Sequence, residues 1–197
     1  MEDYQVCYLL NTYAQDSGRV RFHGTKKELV SLQAEALEIP LLQKETTGEG
    51  YEQEFKEAVK GVLAEGVEGI VFGDIYPHMT EWPKKVCESL GIEAIEPLCG
   101  MSPENEFIDF VEADFEAIVI ATQGDLLGQE WLGRKLDLKF YDDIKKLGNI
   151  DVCSKKGEYH TLVVNGPIFR KKIEIIDTGK VLRDGYWFLD VRTGSLS

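Results

Sequence analysis

The chain has 197 residues and a formal net charge of −13, with 43% hydrophobic and 29% charged residues. That length and balance fit one soluble globular domain with a sizeable core, and they exclude a disordered or fibrous chain. Such acidity leaves no overall basic footprint for DNA or RNA and sets the chain against an anionic bilayer.

The opening Met1-Glu2-Asp3-Tyr4 has neither a basic nor an apolar leader, and no apolar run approaches the ~20 residues of a membrane span. A cytoplasmic protein is therefore expected. Its four cysteines, Cys7, Cys87, Cys99 and Cys153, are scattered without a C-x-x-C pair. They are expected as reduced thiols. No base lies near Cys99 or Cys153 in sequence, so they read as small buried hydrophobes rather than nucleophiles.

Tyr4–Leu10 is a continuous apolar run of strand length, as in a parallel strand covered on both faces. Asn11–Gly24 reads as a loop. Thr25 and Glu28 form a capping box for a helix reaching about Leu37. His23 and Gly24 precede that helix, where they either face a ligand or simply shape the turn. Ile39–Gln43 is a short strand. Gly48-Glu49-Gly50 lacks the framework of a phosphate cradle and reads as a plain loop. A helix from Tyr51 to about Ala64 follows, ended by Gly66.

Gly69–Gly73 is the next strand, and Asp74 lies just past its carboxyl end, where ligands bind in open α/β sheets. Asp74 suits Mg²⁺ or a ribose, or serves as a loop residue. Glu81–Leu90 reads as a helix stopped by Gly91, and Glu93–Leu98 as a strand. Ser102-Pro103 opens another helix. Ala117–Ala121 is the most strongly buried strand candidate, and Asp137 caps a helix reaching about Leu147.

After Gly148 the pattern changes to strands without helices between them: Tyr159–Val164, Lys171–Ile176 and Tyr186–Val191. Asp177-Thr178-Gly179-Lys180 reads as a hairpin turn. The chain thus divides into an α/β region at 1–148 and a β-rich region at 149–197. The stretch Gly157–Phe169, GEYHTLVVNGPIF, combines a strand with polar residues at its start. Glu158 and His160, two residues apart, either work as an acid/base or ligand pair or face water at a strand end.

GEYHT followed by VxxGPIF resembles the C-terminal signature of the diphthine–ammonia ligase family, a branch of the PP-loop ATP pyrophosphatases. RFHGTKKELVSLQAEALEIPL, VFGDI, WLGRKLD and RDGYWFLDV are similar to further family segments, and the resemblance runs from Tyr4 to Val191. It implies a Rossmann-like (HUP-type), mostly parallel sheet flanked by helices, with a C-terminal antiparallel appendage. It also implies ATP-dependent amide formation with Mg²⁺: a carboxylate is adenylated, and ammonia then displaces AMP. The acceptor is a small-molecule or protein-borne carboxylate, which for archaeal and eukaryotic members is diphthine on elongation factor two.

By resemblance Glu158 and His160 are catalytic. Gly157, Tyr159 and Thr161 lie on the substrate side. His23, Gly24, Gly73 and Asp74 lie toward the nucleotide, with Asp74 on the metal. The family's Ser-Gly-Gly-x-Asp-Ser loop is missing here, and Cys153-Ser154-Lys155-Lys156 replaces Cys-Gly-Glu-x before Gly-Glu. These departures raise a second reading, a binding module that kept the fold but lost ATP chemistry. The chain starts at the family's second strand, which leaves a gap in the middle of the sheet. The gap is expected to close by pairing of its neighbours, to be filled by a partner's strand within a homo-oligomer or other complex, or to be filled by an upstream segment.

Overall fold

The computed structural model describes residues 4–20, 23–154 and 156–197. In chain order these form β1 (Leu9–Ala14), α1 (Lys27–Leu37), β2 (Leu41–Thr46), α2 (Tyr51–Leu63), β3 (Gly69–Val71), α3 (Glu81–Leu90), β4 (Glu93–Ile95) and α4 (Pro103–Glu112). They continue with β5 (Glu116–Gln123), α5 (Leu138–Leu147), β6 (Tyr159–Asn165), β7 (Ile173–Arg183) and β8 (Tyr186–Leu196). The architecture is mixed α/β, with two parallel strand pairs and one four-stranded antiparallel sheet. No helix among the described residues is long and apolar enough to cross a membrane.

The parallel part is split. β1 pairs with β2 from Leu9↔Leu41 to Ala14↔Thr46, and β3 pairs with β4 from Gly69↔Glu93 to Val71↔Ile95. β1 and β3 do not pair, so the expected pairing of these neighbours is not formed among the described residues, although Leu10 packs with Ile70 and Phe72. What joins the two pairs is side-chain packing. Phe55 and Val59 of α2 and Val86 of α3 form a small core that takes in Leu10 of β1, Ile70 of β3 and Phe72 just past it.

β1 is also displaced from the apolar run expected to form it. Tyr4 and Val6 are exposed, and the strand starts at Leu9 and runs through residues expected as loop. Pairing with β2 fixes these bounds, because a strand needs a backbone partner as well as apolar side chains.

The antiparallel sheet has the order β6-β5-β8-β7. β5, expected within the parallel body, is an interior strand here. Its run AIVIA is buried at every residue but Ile118, because both faces are covered. Val119 enters a core with Phe107, Phe140, Ile144 and Tyr159, while Ile120 enters another with Leu29, Leu162, Ile173 and Val191. α4 and α5 thus cover one face and α1 the other.

Several local signals act as expected. Ser102 accepts the amide of Asn105 at 3.2 Å, and Asp137 accepts that of Phe140 at 2.7 Å. Gly91 ends α3 at φ +70°. Two signals act differently. The β7–β8 turn lies at Asp184-Gly185, with φ of 47° and 80°, as a two-residue type I′ turn requires. The segment Asp177–Lys180 is strand, paired with Leu189–Thr193 of β8. Thr25 does not cap α1, which starts at Lys27 without a side-chain cap, because its buried hydroxyl is held by His23.

Candidate functional site

The segment between β1 and α1 folds back as a small hairpin. Ala14 N–H donates to the Arg19 carbonyl, Val20 N–H to the Thr25 carbonyl, and Gly24 N–H to the Val20 carbonyl. Arg21 and Phe22, which belong to the RFHG segment, lie outside the described residues. Past them His23 turns its ring toward β6. Its ring centre lies 4.9 Å from that of His160, with the planes tilted by 43°. His160 occupies an irregular stretch of the β5–β6 ladder, where Val119 pairs with Thr161 but Ala121 pairs with His160. Ile120 is the extra residue, and such a bulge re-aims neighbouring side chains.

Burial lowers the pKa of both rings. His23 falls from 6.5 to about 4, chiefly because it is buried and secondly because His160 stands beside it, while the Thr161 backbone pulls the other way. His160 is lowered by burial. The pair is therefore neutral at physiological pH, with ring nitrogens able to accept a proton. Nδ1 of His23 lies 2.5 Å from Thr25 Oγ1, which leaves Nε2 as its ring nitrogen for other contacts.

Glycines bring the surrounding elements close. Gly24 sits at φ +74°, and a Cβ there would lie 2.5 Å from Phe188 of β8. A side chain there would be strained by the positive φ and would have to displace the Phe188 ring. Gly157, at φ +76°, lies between Tyr186 and His160; its Cβ position is 3.7 Å from the Tyr186 hydroxyl and 3.9 Å from His160 Nε2. The site is thus formed by His23 and Gly24, by Gly157 and His160, and by Tyr186 and Phe188 of β8.

The other residues singled out in GEYHT hold the frame. Glu158 is only 3% exposed, and its carboxylate accepts the amides of Asp151 and Lys156 at 3.4 and 2.9 Å. It ties down the loop before β6. Tyr159 lies in the core against Phe140, and its hydroxyl donates to the Val152 carbonyl. Burial pushes its pKa up. Ser154 Oγ brackets the Tyr159 backbone, donating to its carbonyl and accepting its amide. Thr161 is a half-buried strand residue opposite Val119. Lys155 lies outside the described residues. Burial, with help from Glu106 and Asp151, pushes the Cys153 thiol up to about 12, so it is no thiolate at neutral pH.

Gly73 and Asp74 lie elsewhere, past the carboxyl end of β3. Burial and the nearby Glu96 raise the Asp74 carboxyl. Glu96 is 9% exposed, reaches Lys84 at 3.4 Å through one oxygen, and keeps the other buried without a hydrogen bond. Among the described residues no group of three or more His, Cys, Asp or Glu could hold a metal ion. The glycine turn before α2 is occupied by its own groups. Glu54 accepts the Thr47 amide at 2.7 Å, and Thr47 Oγ1 accepts the Gly50 amide at 3.0 Å. This turn therefore does not fit the phosphates of ATP.

His23 lies in the first half of the chain and His160 in the second, and each half matches a known domain. The diphthamide synthase N-terminal domain matches residues 1–94, and the diphthamide synthase C-terminal domain matches residues 102–196. The chain belongs to the diphthamide synthase family. Among its relatives, a diphthine–ammonia ligase of Bos taurus is 28% identical over 171 residues, covering 78% of this chain and 64% of the relative. That of Homo sapiens gives the same figures. That of Schizosaccharomyces pombe is 24% identical over 197 residues, covering 88% of this chain and 32% of the relative. The chain therefore spans just under two thirds of the length of the bovine and human family members.

Tyr186 and Phe188 were missed as site residues from sequence, as was Asp190 on the same face of β8. Their signal was available: in Tyr186-Trp187-Phe188-Leu189-Asp190 these three alternate, and a strand puts alternate residues on one face.

Proposed function

We propose that this chain takes part in a diphthine–ammonia ligase reaction and that its described residues form the acceptor side. The observation that carries this reading is the convergence of three distant stretches, His23-Gly24, Gly157–His160 and Tyr186–Phe188, on one pair of neutral imidazoles. A carboxylate cannot exchange its oxygen for an amine until it gains a leaving group, and in the family ATP supplies that group. The histidines act on the other partner. A neutral, partly buried imidazole accepts the proton that an attacking ammonia must lose, and its neighbour holds the acceptor by hydrogen bonding. Tyr186 offers a hydroxyl at the same place. Glu158 supports the site by fixing the loop that carries Gly157. Asp74 beside Glu96 is assigned to the nucleotide side, and the setting is cytoplasmic.

The test is turnover by the purified chain with Mg-ATP, ammonium and elongation factor two bearing diphthine. AMP formation and conversion of the carboxylate to the amide by mass spectrometry are read together. His160→Ala is expected to lower the rate about 10²-fold. Absence of both turnover and acceptor binding overturns the reading. Acceptor binding without AMP restricts the chain to acceptor recognition.

A further inference from the structure

We propose that Asp190 is a positioning residue that holds the His23 ring against His160, acting through Arg19 and Lys26. The proposal rests on the His pair being the working site. Arg19 and Lys26 sit on opposite arms of the hairpin that carries His23, and their backbones form an antiparallel bridge. Both side chains end on the same oxygen of Asp190, at 3.2 Å for Arg19 and 2.9 Å for Lys26. Each also bonds a carbonyl: Arg19 donates to Gly24 at 2.7 Å, and Lys26 donates to Val191 at 2.9 Å. One carboxylate on β8 thus pulls both arms onto the strand.

What lies between the arms is the site. Gly24 is fixed through its carbonyl and pressed on Phe188. Thr25 lies between the two anchored residues, and its hydroxyl holds Nδ1 of His23. The chain of contacts runs from Asp190 through the two cations to residues 24 and 26, then through Thr25 to the imidazole. Asp190 and Phe188, two residues apart on a strand, face the same way. An exposed ion pair is worth little. Here the carboxylate is 22% exposed, serves two cations and fixes a loop whose tip carries chemistry.

The test is NMR titration of the histidine side chains, which needs neither substrate nor turnover. Only three histidines are present, so His78 serves as an internal reference. Among the described residues, the titratable and charged groups around His23 are His160 on β6, Arg19 and Lys26 on its own loop, and Tyr186 and Asp190 on β8. In Asp190→Asn the His23 midpoint is expected to rise by about one pH unit or more toward its ordinary value as the ring gains water. Cross-relaxation between the two rings should weaken. Asp190→Glu should restore both in part. Arg192→Ala, which removes the exposed Asp177 pair on the same hairpin, should change neither.

A folded Asp190→Asn chain with an unchanged His23 midpoint and intact ring contact overturns the proposal. If that variant does not fold, Lys26→Gln and Arg19→Gln are read in the same way and decide it. A wild-type chain that fails as a ligase while Asp190→Asn still shifts His23 refutes the ligase reading and leaves the positioning role standing.

Discussion

The antiparallel sheet and the parallel pairs use similar strand sequences to different ends. In the former, β5 has neighbours on both edges and cores on both faces, so Ala117, Val119, Ile120 and Ala121 are all buried. In the latter, no residue of β1 is fully buried, and Val71 of β3 is 55% exposed. Apolar sequence alone does not bury a strand; edges and faces must both be filled. The His pair is attached to the filled region, which supplies the rigid frame that a precise site needs.

The largest consequence concerns core truncation. Phe140→Ala removes a ring packed against Phe107, Trp131 and Tyr159 and should cost about 3–5 kcal/mol in denaturant unfolding. A loss under about 1 kcal/mol would mean that the antiparallel region is no tighter than the parallel one. Gly24→Ala comes next, with about 1–3 kcal/mol expected from its positive φ and the collision with Phe188. Pairing it with Phe188→Ala should recover part of the loss, and a double-mutant cycle measures how much.

Acidity separates the two regions by sign. His23 binds its proton at about 4 when folded and near 6.5 when unfolded. Between these values the unfolded chain holds more protons, so stability is full above pH 6.5 and falls as the pH drops toward 4. Asp74 has the opposite sign: its raised carboxyl is protonated earlier in the folded chain, so acid favours folding there. Hydrogen exchange between pH 6.5 and 4.5 should show β6 and β8 losing protection first, and His23→Gln should flatten that trend. The smallest effect is expected at Val71→Ala, within about 0.5 kcal/mol of wild type by denaturant unfolding. A larger loss would show that this exposed side chain is covered in solution.

Much of this was legible because it is local. α3 ends where Gly91 permits a left-handed turn, and Ser102 and Asp137 cap the helices they precede. The β1 start and the β7–β8 turn were not legible, because the first depends on β2 and the second competes with a plausible glycine at 179. In the site, His23, Gly24, Gly157 and His160 were visible as motif residues. The destinations of Glu158 and Tyr159 were not, since only the folded loop at 151–157 shows that the carboxylate serves backbone amides and the phenol joins the core. Arg19, Lys26 and Asp190 were hidden by separation along the chain.

The split between β1 and β3 also has a mechanical consequence. Hydrogen-bond ladders resist sliding because each bond has a fixed direction and partner, whereas apolar contacts are non-directional. Among the described residues the two parallel pairs share no ladder and are spanned by the core around Phe55, Val59 and Val86 and by a hydrogen bond from Trp82 to Glu52, so this seam is expected to yield before the ladders beside it. Under hydrostatic pressure or a pulling force the two halves should shear along it while β5, β6 and β8 still move as one body. The two parallel pairs are then free to slide past each other, while the site stands on the antiparallel sheet, which the slip leaves intact.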